Sequence, residues 1–145
     1  MAGFGGGNLI FLVYSLVHSV ILYFLITNIY QEEEGICEGV LLLLVAGLVY
    51  DNAMLAFGCF LRKGGNFEAL SKFRFLLHGT VVPACFLILL HLLNRWANLP
   101  AFAFVVFYII VTALIVFGLF TSMTERYKYT ELYGISRYTT AEFVI

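Results

Sequence analysis

The stretch PAFAFVVFYIIVTALIVFGLFTSM, Pro100 to Met123, decides the class of fold, because it carries no charged side chain. A helix needs about 20 predominantly apolar residues to cross a hydrocarbon core of about 30 Å. Three further predominantly apolar runs precede this one, and they extend from Asn8 to Tyr30, from Gly39 to Leu61 and from Phe73 to Leu93. The sequence therefore predicts four membrane-spanning helices.

The overall composition agrees with a membrane protein. Hydrophobic residues make up 62% of the chain and charged residues only 12%, and the mean hydropathy is +0.96. Soluble domains carry about 25% charged residues. The apolar runs do not alternate with polar residues as barrel strands do, so helices satisfy the backbone groups in lipid. We expect an all-α integral membrane protein with four transmembrane helices in a compact bundle.

The predicted spans cover about residues 8–30, 39–61, 67–94 and 100–123 of a single domain, 1–145. The third helix should start before its apolar run, because Asn66 is suited to cap a helix there and Glu68 stands four residues before Lys72. Residues 124–145, rich in tyrosine and basic side chains, are expected to lie at the membrane interface as a tail.

Basic residues predict the orientation. Seven of the eight lie on one side of the predicted spans, and Arg95 alone lies on the other. This asymmetry places both termini on the cytoplasmic-equivalent side, the stroma or matrix in an organelle. On the opposite side, the sequence predicts a solvated acidic turn that contains Glu32, Glu33, Glu34 and Glu38. The seven basic residues are Arg62, Lys63, Lys72, Arg74, Arg126, Lys128 and Arg137.

Several function classes receive no support from the sequence. The chain has no HExxH motif, no paired catalytic carboxylates and no glycine-rich phosphate loop, so no enzyme class is indicated. Its loops are too short for a soluble domain. A net charge of −1 also counts against nucleic-acid binding, and no metal-ligand spacing stands out.

The stretch VYDNAMLAFG, Val49 to Gly58, places Asp51 and Asn52 inside an apolar span. With Leu61 as the membrane edge, Asp51 lies about 15 Å deep. A charged Asp near the midplane costs about 2.5–3.5 kcal/mol, so it needs a donor on a neighbouring helix. His78 is the favoured partner and His18 the alternative. The other donors considered are the side chains of Arg74, Tyr14, Tyr50 and Thr112.

Arg74 is disfavoured as this donor because side chains lean toward the N-terminus of their own helix, which carries Arg74 toward the membrane surface. Arg74 and His78 do share one face of the third span. Pro83 removes the hydrogen bond to the carbonyl of Gly79, so we expect a kink with a carbonyl in need of a partner. An interhelical polar cluster of Asp51, Asn52, Arg74 and His78 is predicted.

Three interpretations of this polar set stay open. In the first, Asp51, Asn52 and a histidine have a structural role and hydrogen-bond between helices. In the second, His18, His78 or His91 ligates the metal of a haem or chlorophyll, with the chain's fifteen phenylalanines packing the ring. In the third, Asp51 and His78 serve proton-coupled transport or intramembrane catalysis on lipid.

With so little chain outside the bilayer, the sequence favours an accessory subunit that packs against a larger membrane complex. A photosynthetic or respiratory assembly in the thylakoid or inner mitochondrial membrane is the expected setting, with lipid and other integral subunits as partners and with pigment, haem or lipid as candidate bound molecules. The alternative is a self-sufficient oligomeric transporter or lipid-modifying enzyme. The residues expected to make outward contacts are Phe104, Phe107, Tyr108 and Phe117.

Overall fold

The computed structural model describes residues 5–29, 35–61, 63–132 and 135–140. Four helices, each long and apolar enough to cross a membrane, come first, and this confirms the prediction of four long apolar helices. Two short strands follow. The elements are α1 (Gly6–Ile29), α2 (Gly35–Phe57), α3 (Gly65–Ala97), α4 (Ala101–Thr124), β1 (Tyr127–Leu132) and β2 (Ile135–Thr140).

Each helix packs mainly on its neighbours in sequence. Within the described residues, extensive contacts join α1 to α2, α2 to α3, and α3 to α4. The hydroxyl of Ser15 donates to the carbonyl of Val49, 3.2 Å away, and so ties α1 to α2. The bundle is thus an open row and less compact than expected. The physical reason is that helices apolar on all sides have no single face that the hydrophobic effect selects for burial in lipid.

The crossing of α3 and α4 brings two backbones together at Gly79 and Gly118. A side chain on either glycine would collide with the carbonyl of the other. Near this crossing, the hydroxyl of Thr121 donates to the carbonyl of Gly118 within α4. The hydroxyl of Ser122 donates across to the carbonyl of Phe75 on α3, 3.2 Å away. Pro83 lies inside α3, which continues through it as one helix.

The turn between α2 and α3 departs from the predicted boundaries. α2 ends at Phe57, four residues before Leu61, because Gly58 begins a turn that packs against the carbonyl of Ser136 and leaves no room for a side chain. The helix also starts earlier than predicted, at Gly35. The N-cap of α3 is Gly64 with extended backbone, so the prediction that Asn66 caps this helix is wrong.

The predicted interfacial tail contains an antiparallel hairpin that the sequence interpretation did not anticipate. β1 pairs with β2 so that Tyr129 lies opposite Tyr138. The ring of Phe67, only 2% exposed, packs edge-on against both tyrosines, with centroids 6.3 Å and 5.3 Å away. The hairpin is thereby fixed on the first turns of α3, a helix of 33 residues and about 50 Å.

Candidate functional site

An ion pair joins α2 to α3 at Asp51 and Arg74. The Nε atom of Arg74 lies 3.0 Å from Oδ1 of Asp51, and their side chains are only 14% and 20% exposed. Within the described residues, Oδ1 accepts no well-aligned hydrogen bond, so the contact is an ion pair by distance. Arg74 is therefore the nearest charged partner of Asp51, and the prediction that disfavoured Arg74 as its donor is wrong.

The reason for this correction is the position of the helix ends. Asp51 lies six residues before Phe57, about 9 Å along α2, and Arg74 lies nine residues after Gly65, about 13.5 Å along α3. The turn between the two helices is short, so their ends are nearly level. Arg74 is then the deeper residue, and its lean toward the start of α3 carries the guanidinium to the carboxylate.

His78 flanks the pair from its open side. Its Nε2 atom lies 4.0 Å from Oδ2 of Asp51, and its side chain is 49% exposed. The Nδ1 atom lies 3.2 Å from the carbonyl of Arg74, within hydrogen-bonding distance. His78 therefore stands beside the carboxylate at the edge of contact, in second place after Arg74.

Tyr50 fastens the same two helices beside the ion pair. Its hydroxyl donates to the carbonyl of Leu70 at 2.8 Å. Its ring meets that of Phe73 edge-on, with centroids 5.2 Å apart. Because Tyr50 precedes Asp51 directly, this clamp holds the carboxylate at a fixed height against α3.

A second arginine reaches the pair from the hairpin. Arg137 of β2 lies near enough to Arg74 for the two positive charges to repel each other. Its Nε atom is buried and has no hydrogen-bond partner among the described residues. The carboxylate of Asp51 pairs with Arg74, so among Asp51, Arg74 and Arg137 one positive charge is left in excess.

Asn52, the remaining member of the predicted cluster, and His18, the alternative partner, make their side-chain contacts within their own helices. The side-chain amide of Asn52 is buried and donates to the carbonyl of Leu48, 2.7 Å away on its own helix. The Nδ1 atom of His18 lies 2.6 Å from the carbonyl of Tyr14, also within its own helix. In the described part of the chain no hydrogen bond or ion pair joins Asp51 to His18.

The three histidines do not form a joint site. His91 lies thirteen residues after His78, about 20 Å along α3. Its Nε2 atom is buried without a partner in the described residues, and its ring meets Phe104 edge-on at 6.2 Å. Among the described residues no three His, Cys, Asp or Glu side chains are grouped as metal ligands. Ligation of a pigment or haem by any one of them stays a prediction.

A groove opens along the seam between α2 and α3, next to His78. Apart from the imidazole, its walls are aliphatic side chains and Gly47. A side chain on Gly47 would meet no other atom within 4 Å, so the groove is open at this glycine. The lining residues are Leu44, Gly47 and Leu48 of α2, with Leu77, His78, Val81 and Val82 of α3.

Sequence reasoning missed Arg137 and the groove for different reasons. A hairpin signal was present, since YKYTEL and ISRYTT are rich in Tyr and Thr and stand on either side of a Tyr-Gly pair. The groove left no signal, because it depends on which faces of two uniformly apolar helices meet. Comparison with protein-family models, with curated proteins and with solved structures finds no match to this chain.

Proposed function

We propose that this chain is a small multi-pass membrane subunit that acts by packing against a larger membrane assembly. The observation that carries the proposal is the sparse packing of the outer helices. Only 6% of the apolar window of α1, and the same share of α4, is buried within the chain. Little of the surface of α1 or α4 contacts the rest of the chain, so both helices present long apolar faces to lipid or to other proteins.

Polar side chains on these faces favour protein partners over lipid alone. Tyr14 is 51% exposed on α1, and Tyr108 is exposed on α4. Neither hydroxyl has a hydrogen bond within the described residues. Both residues lie about 10–12 Å inside their helices, where lipid offers no acceptor. A neighbouring subunit would supply one, and Phe117, also exposed, would add apolar contact on α4.

The proposed orientation places the hairpin end on the cytoplasmic-equivalent side. Six described basic residues gather where α2 meets α3 and the hairpin, whereas Arg95 lies in the last turn of α3 at the opposite end. Arg62 falls outside the described residues. The positive-inside rule then directs the basic end to the cytoplasm, stroma or matrix. The six residues are Lys63, Lys72, Arg74, Arg126, Lys128 and Arg137.

An energy-transducing complex, photosynthetic or respiratory, is the setting we propose for such a subunit, and this assigns it to the thylakoid or the inner mitochondrial membrane. The support is general, since complexes of this kind contain many small subunits with little mass outside the bilayer. An absorbance spectrum of the chain purified in mild detergent tests the associated role in pigment or haem binding. Bands that disappear on substitution of His18, His78 or His91 would identify the ligand.

The test of assembly is the native mass of the protein extracted from its own membrane in mild detergent. We expect it in a complex far larger than 16.3 kDa. Tyr14→Phe and Tyr108→Phe should weaken retention in that complex, because each removes one interhelical hydrogen bond of about 1 kcal/mol. Tyr23→Phe is the matched control, since this tyrosine is also exposed but lies near the end of α1. Recovery as a small homo-oligomer would contradict the proposal.

A second candidate function, proton-coupled transport or intramembrane chemistry on lipid, is favoured by the part-buried group of Asp51, Arg74 and His78. A carboxylate beside an imidazole can exchange a proton, and an arginine can attract an anionic headgroup. The two functions differ in what Asp51→Asn does. It should abolish activity with assembly intact if Asp51 carries protons, whereas a purely structural Asp51 tolerates the amide.

A further inference from the structure

The groove between α2 and α3 leads directly into the charged cluster. Asp51 lies four residues after Gly47 on α2, and Arg74 lies four residues before His78 on α3. Residues four apart share a helix face. Each helix therefore contributes one continuous strip, apolar toward the middle of the chain's hydrophobic span and charged toward the hairpin. A cleft with this polarity matches a molecule that has an apolar chain and a polar head.

The excess positive charge of the cluster favours a polar head that is negatively charged. Asp51 pairs with Arg74 at 3.0 Å, and Arg137 follows Ser136, whose carbonyl packs on Gly58 at the end of α2, so a second guanidinium group is brought to the same end of the helix pair. The Nε atom of Arg137 is buried without a partner in the described residues. Burying a surplus cation beside an apolar region is costly unless an anion pairs with it. Guanidinium groups bind phosphate oxygens especially well, because their donors match the spacing of those oxygens.

We propose that this cleft binds one anionic phospholipid, with part of an acyl chain in the groove and the phosphate against Arg74 and Arg137. On α2 the walls of the groove extend from Leu44 to Leu48, four residues or about 6 Å, which is enough for a short part of an acyl chain. His78, half-exposed at the junction, faces the glycerol region. This inference does not depend on the proposal that the chain is an accessory subunit.

The experiment is native mass spectrometry of the purified full chain, titrated with phosphatidylglycerol. Diacylglycerol supplies the chains without the phosphate, and inorganic phosphate supplies the anion without the chains. We expect phosphatidylglycerol to bind at least about tenfold more tightly than either, as one charge-assisted hydrogen bond would give. Binding of inorganic phosphate with equal affinity would overturn the lipid assignment in favour of a soluble anion. Equal binding of diacylglycerol would overturn the role of the arginines.

Two variants fill the groove. Gly47→Leu projects into open space, and Val82→Phe enlarges a wall residue that is itself half-exposed. Each should weaken phosphatidylglycerol binding about tenfold with helical content unchanged. Gly39→Leu is the matched control, since this glycine lies on the same helix, is equally open and does not line the groove. If a groove variant that folds binds lipid as well as Gly39→Leu does, the proposed chain site is wrong.

A second pair of variants tests the head site. Arg137→Gln removes the surplus charge, and Lys128→Gln removes an exposed charge from the other strand of the same hairpin. Only Arg137→Gln should reduce the preference for phosphatidylglycerol over diacylglycerol, because Arg137 carries a buried, unpartnered Nε atom and Lys128 is exposed. Equal losses for the two variants would assign the effect to general attraction by the basic surface and would overturn the specific site.

Discussion

The carbonyl of Gly79 lies against Cα of Gly118, so that α3 and α4 touch backbone to backbone. Pro83, four residues after Gly79, cannot donate the helical hydrogen bond that this carbonyl would otherwise accept. The close approach gives the carbonyl a Cα–H donor on the neighbouring helix. Pro83 thus leaves the carbonyl of Gly79 without its helical donor, and the close contact with Gly118 gives this carbonyl a partner on α4.

Gly118→Ala should therefore destabilise the α3–α4 pair by about 1–3 kcal/mol, since a methyl group there collides with the carbonyl of Gly79. Thermal unfolding in detergent, followed by circular dichroism, measures the change. Gly47→Ala is the control, because a methyl group on Gly47 meets no atom within 4 Å. Equal melting temperatures for the two variants would mean that the helices do not cross at this glycine.

Replacing one member of the ion pair should lower the free energy of unfolding more than replacing both. Asp51→Leu leaves the guanidinium of Arg74 part-buried and uncompensated, and we expect a loss of about 1–2 kcal/mol. The double variant Asp51→Leu with Arg74→Leu should recover part of that loss, because neither charge is left. A double-mutant cycle on unfolding free energies gives the coupling directly. Strictly additive losses would show that the two side chains do not interact.

Replacing Phe67 should release the hairpin. Phe67→Ala removes a ring that is almost fully buried against Tyr129 and Tyr138, and such changes cost about 3–5 kcal/mol in a packed site. We expect faster tryptic cleavage at Lys128 and Arg137, with the four helices retained. Phe102→Ala serves for comparison, since Phe102 is exposed on α4. Unchanged cleavage in Phe67→Ala would place the hairpin's anchorage elsewhere.

The two ends of the molecule should label from opposite sides of the membrane. Ala97→Cys and Glu131→Cys, each made after the three native cysteines are replaced, report the end of α3 and the hairpin. A membrane-impermeant maleimide should reach Glu131→Cys from the cytoplasmic-equivalent side and Ala97→Cys from the other. Labelling of both from one side would remove the four-span arrangement in the bilayer.

The helices were predictable because hydropathy over 20 residues is a property of composition and needs no tertiary contact. The end of α2 was not, because Gly58 turns where the hairpin packs, far away in sequence. The larger error concerned α3, because the depth of Arg74 was counted from Phe73, whereas the helix starts eight residues earlier, at Gly65. That reference made Arg74 look too shallow to reach Asp51 and favoured a histidine instead.

The hairpin is the last described part of the chain, and this has a consequence for biosynthesis. Asp51 and Arg74 leave the ribosome within 23 residues of each other, so the first charge can be neutralised while α4 is still being made. Arg137 follows 63 residues after Arg74. The excess positive charge, and any bound anion, is therefore present only after β2 has been synthesised. A ribosome-stalled chain lacking β2 would have its paired helices in place and an incomplete receptor for phosphate.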